Sequence, residues 1–329
     1  MVSPNPLKIL VTGGAGFIGS ALTETLLQEG HQLTCLDNLS TGKQENIQPF
    51  LSHPNYTFIS GDIRNFSDCL TATQNQNIIL HQAALGSVPR SIKDPFTSHE
   101  VNLTGFLNIL NAAKENNIKR IVYASSSSVY GDHPALPKIE AQTGKLLSPY
   151  AVTKMGNELY AGVFSDLYGL ELIGLRYFNV FGRRQDPDSV YAAVIPKFIK
   201  SFLSGNSPII HGDGSNSRDF TYIDNVVQAN YLAATTQNPE ALNTVYNIAV
   251  GNNTTLNQLI EALKNAFIPY FPQIKNITPE YGPNRPGDIA HSLASIDKAR
   301  KLLGYNPLFT LEQGLERYAQ WYVQHFPIS

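Results

Sequence analysis

Tyr150 and Lys154 are the side chains of this sequence best arranged for acid–base chemistry. They stand four residues apart in Ser148-Pro149-Tyr150-Ala151-Val152-Thr153-Lys154. Ser148 has the short hydroxyl of a helix N-cap and Pro149 suits the first helical position, so the spacing predicts both side chains on one helix face. A phenol with its ordinary pKa of about 10 is a poor base at neutral pH, but a neighbouring ammonium or a cationic nicotinamide ring favours the phenolate. Tyr150 is then a credible proton acceptor. The pair alone proves little in a chain with 16 tyrosines; its place in the chain decides. It follows a run of hydroxyls, Ser125-Ser126-Ser127-Ser128-Val129-Tyr130-Gly131, at the end of the apolar stretch Arg120 to Ala124.

A second constellation opens the chain. Thr12-Gly13-Gly14-Ala15-Gly16-Phe17-Ile18-Gly19 directly follows the apolar run Lys8 to Val11 and leads into a helical stripe of Phe17, Ile18, Ala21, Leu22 and Leu26, stopped at Gly30. Glycine has no β-carbon, so the backbone turns tightly and admits a pyrophosphate to the free N–H groups and positive dipole of the helix start. Gly13, Gly16, Phe17, Ile18 and Gly19 are therefore candidate dinucleotide contacts. Asp37 ends the next apolar run, 21 positions after Gly16, where a carboxylate accepts hydrogen bonds from both ribose hydroxyls and repels a 2′-phosphate. No arginine follows in Asp37-Asn38-Leu39-Ser40, so NAD is favoured over NADP, with Lys43 as a counter-argument. Asn38 shares that turn, and Asp62-Ile63, after the third run, is placed to reach the adenine.

The elements that must position these groups are visible as a rhythm. Short apolar runs at Lys8 to Val11, Gln32 to Leu36, Tyr56 to Ser60, Ile78 to His81, Arg120 to Ala124 and Leu170 to Leu175 alternate with helix-length segments. That pattern predicts an α/β fold with a Rossmann-like, doubly wound parallel sheet, and its strand ends put the serine run and Tyr150 beside the dinucleotide crevice. After about Asn179 turn-rich segments separate helical stretches such as Leu256 to Phe267 and Leu311 to Val323, predicting a smaller α/β lobe over the ends of the sheet. Residues 1–180 are expected to form the NAD-binding Rossmann domain, with a returning segment near 220–250, and 181–329 the substrate lobe. No repeat or low-complexity linker divides them, so the lobes should be interwoven.

Composition removes several classes of function. The 329 residues, 42% hydrophobic, suffice for one large core or two coupled ones. Lys plus Arg is 24 against 26 Asp plus Glu, so neither nucleic acid nor an anionic membrane is an expected partner. The run Leu7 to Val11 breaks at Gly13, too short for a signal segment or a span, and a cytoplasmic location is expected. Cys35 and Cys69 fit a reducing compartment; Cys35 reads as a small hydrophobe, and no disulfide is expected. Eight histidines lack His-x-His or His-Glu-x-x-His spacing, so no metal site is expected.

Taken together, Thr12 to Gly19, Asp37, His81-Gln82-Ala83-Ala84, the serine run, Tyr150/Lys154 and Arg176-Tyr177-Phe178-Asn179 resemble the extended short-chain dehydrogenase/reductase family over nearly the whole chain. Ala84-Leu85-Gly86-Ser87-Val88-Pro89-Arg90 and Gly182-Arg183-Arg184-Gln185-Asp186-Pro187 are similar to stretches of the UDP-N-acetylglucosamine 4-epimerases of bacterial surface-polysaccharide synthesis. The resemblance implies a cycle in which Tyr150 takes the proton of the sugar 4-hydroxyl, C4 gives a hydride to NAD, the 4-keto sugar turns over, and hydride and proton return to the other face. NAD would stay tightly bound and unconsumed. Lys154 would lower the phenol's pKa and hold the nicotinamide ribose, Ser126 would bond the 4-oxygen, and Ser127 and Ser128 would line the sugar site, although which serine contacts the oxygen stays open. The family likeness adds Gln82, Ala83, Ala84, Asn102 and Tyr177 to the cofactor contacts, and Gly86, Ser87, Asn179, Val194, Lys197, Arg218, Arg285, Asp288 and Ser292 to the substrate contacts. Arg218 and Arg285 would grip the diphosphate, which a planar guanidinium pairs two-pronged.

Related 4,6-dehydratases and decarboxylases carry carboxylates where this chain has Ser127 and Ser128, so the extra acid–base step of those reactions lacks an agent here. Ser292 matches a position where bulk restricts relatives to unsubstituted hexoses; serine leaves room for an acetamido group without requiring one. The expectation is therefore an NAD-dependent 4-epimerase acting on UDP-N-acetylglucosamine and UDP-N-acetylgalactosamine, less efficiently on UDP-glucose; the family resemblance further implies a homodimer, through a four-helix contact of the Phe96 to Lys114 and Tyr150 to Leu167 helices. The competing readings are a UDP-glucuronate decarboxylase or sugar 4,6-dehydratase on the same fold, and a non-catalytic NAD-sensing module.

Overall fold

A computed structural model describes residues 6–186, 193–284 and 290–325 of the protein. The six apolar runs are strands: β1 Lys8–Thr12, β2 Gln32–Asp37, β3 Tyr56–Ser60, β4 Ile78–His81, β5 Arg120–Ser126 and β6 Glu171–Tyr177. A seventh, Thr244–Ile248, pairs in parallel with β6, and the full order is Thr244–Ile248, β6, β5, β4, β1, β2, β3. Every pairing is parallel. Parallel strands need crossover helices, which cover both faces and make the strands apolar throughout. Ile9 and Val11 of β1 accordingly join one apolar cluster with Leu33, Cys35 and Val122, while Leu10 between them joins another with Leu36, Ile79 and Ile121.

Helices α1 (Phe17–Gln28) and Ile223–Thr235 pack together on one side of the sheet; Phe66–Ala72, Gly105–Glu115 and Pro149–Tyr168 pack on the other. The strand order reverses at β1, which has β2 on one side and β4 on the other. At such a switch point the connections leave in opposite directions, so a crevice opens beyond the carboxyl ends of the strands.

Past β6 the chain forms short strand pairs, Val180–Phe181 with Thr221–Tyr222, Ser217–Arg218 with Thr254–Thr255, and Ile209–His211 with Glu280–Gly282. Helices Val194–Leu203, Leu256–Phe267 and Leu311–His325 accompany them. The helix predicted from Leu256 begins there because Thr255 and Gln258 form a reciprocal capping box, each side chain accepting from the other's backbone N–H. One apolar cluster runs from β1 through Phe181 to Leu263 and Leu315, so the smaller region shares its core with the sheet. Cys35 and Cys69 are both buried free thiols, and burial pushes each up to about 12. Among the described residues no helix is long and apolar enough to cross a membrane, and no His, Cys, Asp and Glu cluster could hold a metal ion.

Candidate active site

At the end of β1 the chain turns through Gly13 at φ +70, a conformation L side chains rarely adopt. A β-carbon on Gly13 would lie 2.7 Å from the Ala83 nitrogen, and one on Gly19 would collide with the Gly13 carbonyl. The two glycines thus let loop, strand and helix close on one another. Gly16 caps α1 without any side-chain bond, leaving N–H groups of the first turn free to meet an anion. Phe17 and Ile18 form that first turn.

Asp37 is 8% exposed, and its two oxygens accept N–H bonds from Leu39 (2.8 Å) and Ala15 (2.9 Å). Burial raises its pKa, and those two bonds oppose the rise. Gly13, Gly16, Asp37, Asp62, Ile63 and Ala83 line one crevice. An uncapped helix start for a pyrophosphate and a strand-end carboxylate for ribose hydroxyls are the two features an unphosphorylated dinucleotide requires. Lys43, the counter-argument for NADP, is paired with Asp186 at 3.0 Å. Asp62 is held down to about 2, chiefly by its bond from Arg64, and Asn38 also donates to it at 2.8 Å.

The helix Pro149–Tyr168 starts as predicted, with the Ser148 hydroxyl accepting from Ala151 N at 3.1 Å. Lys154 is 2% exposed; its ammonium donates to the Ala124 carbonyl at 2.8 Å and lies 6.0 Å from the centre of the Tyr150 ring. Burial brings it down to about 8, opposed by the negative charge of Glu158 one turn further along. Burial raises the Tyr150 phenol, and the opposing pull comes from a hydrogen bond with Ser126. The Ser126 hydroxyl thus joins Lys154 beside the phenol, one of the ammonium's three donors being held by the strand carbonyl.

The Ser126 hydroxyl also accepts from Ser128 N at 3.1 Å. Ser127 is half-buried. The Ser128 hydroxyl is buried with no partner among the described residues. Three of the expected cofactor contacts are also tied into the crevice wall. Asn102 is 1% exposed and spends its amide on the Leu85 backbone and on Thr153. Tyr177 donates to Gln82 at 3.1 Å, Asn230 donates to Tyr177 at 2.9 Å, and Gln82 donates to Asn230 at 3.0 Å, closing a triangle. These bonds fix Asn102, Tyr177 and Gln82 beside the crevice, each buried polar group finding a protein partner. Gln82, Ala83 and Ala84 keep their places on the crevice wall.

A cavity of about 900 Å³ lies in the smaller region, lined by Asn179, Val194, Lys197, Phe198, Arg218 and Leu256 among others, a volume in the range of small-molecule sites. Asn179 has a φ of 33 and its amide donates to the Asp219 carbonyl. Arg218 donates to the carbonyls of Ser217 (2.8 Å) and Ala290 (3.2 Å). Ser292 is half-buried, with its N–H on Ser217. Gly86 is exposed, and the Ser87 hydroxyl caps the short helix Val88–Lys93. Arg285 and Asp288 lie outside the described residues.

Sequence reasoning passed over two groups. Asp219, wholly buried beside Arg218, accepts N–H bonds from Val250, Gly251 and Ala294, joining three segments around the cavity. Glu158 continues the helix face of Tyr150 and Lys154 by one further turn, a spacing visible in the sequence. Its partners Ser125 and Arg176 come from two different strands.

A seven-stranded parallel sheet in this order, with an uncapped glycine turn, a strand-end carboxylate and a Tyr-Lys helix beside it, defines a dinucleotide-binding enzyme of the Rossmann class. The chain belongs to the NAD dependent epimerase/dehydratase family, whose model matches residues 9–249, and its cofactor is NAD. A UDP-glucose 4-epimerase of Mycolicibacterium smegmatis is 34% identical over 318 residues, covering 96% of this chain and 98% of that protein. Among solved structures, the UDP-N-acetylglucosamine 4-epimerase of Methanobrevibacter ruminantium M1, in complex with UDP-N-acetylmuramic acid, superposes with a TM-score of 0.90 at 39% identity, covering 98% of this chain and all 100% of that one. The UDP-glucuronic acid 4-epimerase of Bacillus cereus, with UDP-glucuronic acid and NAD, gives 0.87 at 31% identity, covering 97% and 100%.

Proposed function

We propose that this protein is a UDP-sugar 4-epimerase that interconverts UDP-N-acetylglucosamine and UDP-N-acetylgalactosamine, with UDP-glucose and UDP-galactose as poorer substrates. The observation that carries this reading is the Tyr150 ring 6.0 Å from the buried Lys154 ammonium on one helix face, on a helix packed against β5, whose carboxyl end carries Ser126. Relatives named for epimerisation at C4 of UDP-sugars support it, although their sugars differ.

Bound NAD supplies a hydride acceptor at C4 and the return of that hydride, so nothing is consumed. Tyr150 accepts the 4-hydroxyl proton and gives it back. Ser126 donates to the 4-oxygen and orients it. Lys154 brings the positive charge that favours phenolate and a donor for the nicotinamide ribose. Asp37 receives the adenosine ribose hydroxyls, and the start of α1 receives the pyrophosphate of the cofactor. Asn179, Val194, Lys197, Arg218, Arg285 and Asp288 hold the UDP portion. Hydroxyls at Ser127 and Ser128, in place of a carboxyl group, favour epimerisation over dehydration or decarboxylation. Serine at 292 favours access for an N-acetyl group.

Purified protein incubated with UDP-N-acetylglucosamine and no added NAD should yield UDP-N-acetylgalactosamine, followed by NMR. A clear preference for UDP-glucose overturns the substrate assignment; a 4-keto-6-deoxy or pentose product overturns the reaction. Within the same reading the division falls near residue 180, with the Ile223–Thr235 helix and Thr244–Ile248 strand returning to the NAD half. The protein acts in the cytoplasm as a homodimer. Support for the dimer is an apolar stripe on the catalytic helix, Leu159, Val163 and Leu167 at successive turns, beside Phe96 at 82% exposure.

A further inference from the structure

The Glu158 carboxylate sits where three elements meet. Ser125, the residue before Ser126 on β5, donates its hydroxyl to Glu158 Oε1 at 2.5 Å. Arg176 of β6 grips the same carboxylate two-pronged, Nε to Oε1 at 2.9 Å and Nη2 to Oε2 at 2.7 Å, and both side chains are nearly wholly buried. Arg176 is held in turn: it donates to the Glu140 carbonyl at 3.0 Å and lies 4.9 Å over the Tyr130 ring. Tyr150, Lys154 and Glu158 follow one another at i, i+4 and i+8, so the carboxylate occupies the turn directly beyond the Lys154 ammonium.

We propose that Glu158 is a positioning residue for the acid–base pair: it fastens the helix bearing Tyr150 and Lys154 to the strand end bearing Ser126, and supplies the negative charge that the buried Lys154 faces. This rests on the reading of Tyr150 and Lys154 given above. A buried ammonium favours its neutral form unless a negative charge compensates it. The groups around Lys154 leave Glu158 in that role. His81 on β4 interacts with it but stays neutral, burial pushing the imidazole to about 3. Ala124 on β5 offers a carbonyl, Tyr150 a neutral phenol and Arg176 on β6 a positive charge that Glu158 itself covers. Lys154 stands at about 8 with Glu158 present; without that charge the ammonium is lost at lower pH.

The test is Glu158→Gln, which keeps the shape, removes the charge and leaves Arg176 uncovered. Two readouts apply: the alkaline limb of kcat against pH, and the titration midpoint of Lys154 followed by NMR of lysine labelled at the ε-carbon. Both should move down by about one pH unit or more, a charge lost at helix-turn distance in a partly polar interior being worth that much. Activity at pH 8 should fall about tenfold and recover near pH 6. Glu158→Asp, which retains the charge, should keep the Lys154 midpoint near its original value while kcat falls. If Glu158→Gln does not fold, Glu158→Met with Arg176→Met leaves no unpaired ion and should still lower the midpoint. An unmoved Lys154 midpoint in a folded variant overturns the proposal. The NMR midpoint needs no substrate, so failure of the wild-type protein to turn over any UDP-sugar would sink the functional reading separately.

Discussion

Arg183 donates a 2.9 Å hydrogen bond from Nε to Glu24, fastening the segment that enters the cavity region to the helix that opens the NAD crevice. Arg184 grips the other oxygen of Glu24 at 2.7 Å, and Arg183 also pairs with Asp224. Replacing Glu24 with Ala leaves two poorly solvated guanidinium groups short of a partner. Urea unfolding should show a loss of about 1–3 kcal/mol; an unchanged midpoint would mean that the cluster contributes nothing to holding the regions together.

Tyr150→Phe removes only the phenolic oxygen. Turnover of UDP-N-acetylglucosamine should drop about 10²- to 10⁴-fold, the usual contribution of a positioned acid–base group, while NAD stays with the purified protein by absorbance. Near wild-type kcat would remove Tyr150 from the chemistry.

Lys154 gives stability a pH signature. Its folded pKa of about 8 lies below the ordinary 10.5, so between those values the unfolded chain binds the extra proton and stability rises with pH. Below about 8 both states are protonated and the cost of the buried charge is constant. Measured as the difference between wild type and Lys154→Met, the unfolding free energy should gain roughly 2 kcal/mol from pH 8 to pH 10. A flat difference would place the ammonium in contact with water.

Asp37→Asn preserves the shape of the β2 terminus and removes its charge. Calorimetry on protein stripped of cofactor should find NAD bound about ten- to a hundredfold more weakly, because charge-assisted bonds to the ribose become neutral ones. NADP should gain relative to NAD as the repulsion of its 2′-phosphate disappears. Equal loss for both cofactors would argue that Asp37 only shapes the loop through Ala15 and Leu39.

The apolar stripe on the Pro149–Tyr168 helix predicts assembly. Leu159→Glu with Leu167→Glu, both at exposed positions, should convert a dimer into a monomer in analytical ultracentrifugation without unfolding it. If the wild-type chain already sediments as a monomer at micromolar concentration, the stripe has another purpose.

Much of the fold was legible because its signals are local. Each of the six apolar runs became a strand, since a parallel strand is buried on both faces and writes itself as continuous hydrophobicity. The glycine turn and Asp37 were equally readable, because a strand, a tight turn and a helix start depend on near neighbours. Thr244–Ile248 was harder: only pairing with β6, about 70 positions earlier, makes a strand of it. The bonds that tie Asn102 to Leu85 and Thr153, and Tyr177 to Gln82 and Asn230, were not legible, because their partners lie far along the chain.

The sequence by itself therefore determined the Tyr150–Lys154 face, the pyrophosphate turn and the acidic strand end, since i,i+4 spacing and missing β-carbons act within a few residues. The tertiary structure alone decided how those groups are charged and held. Burial lowers Lys154 and raises Tyr150, with Ser126 opposing the rise, and Glu158 meets Ser125 and Arg176 from separate strands. Desolvation and ion pairing depend on what surrounds a group in space, and residues far apart in the chain supply those surroundings.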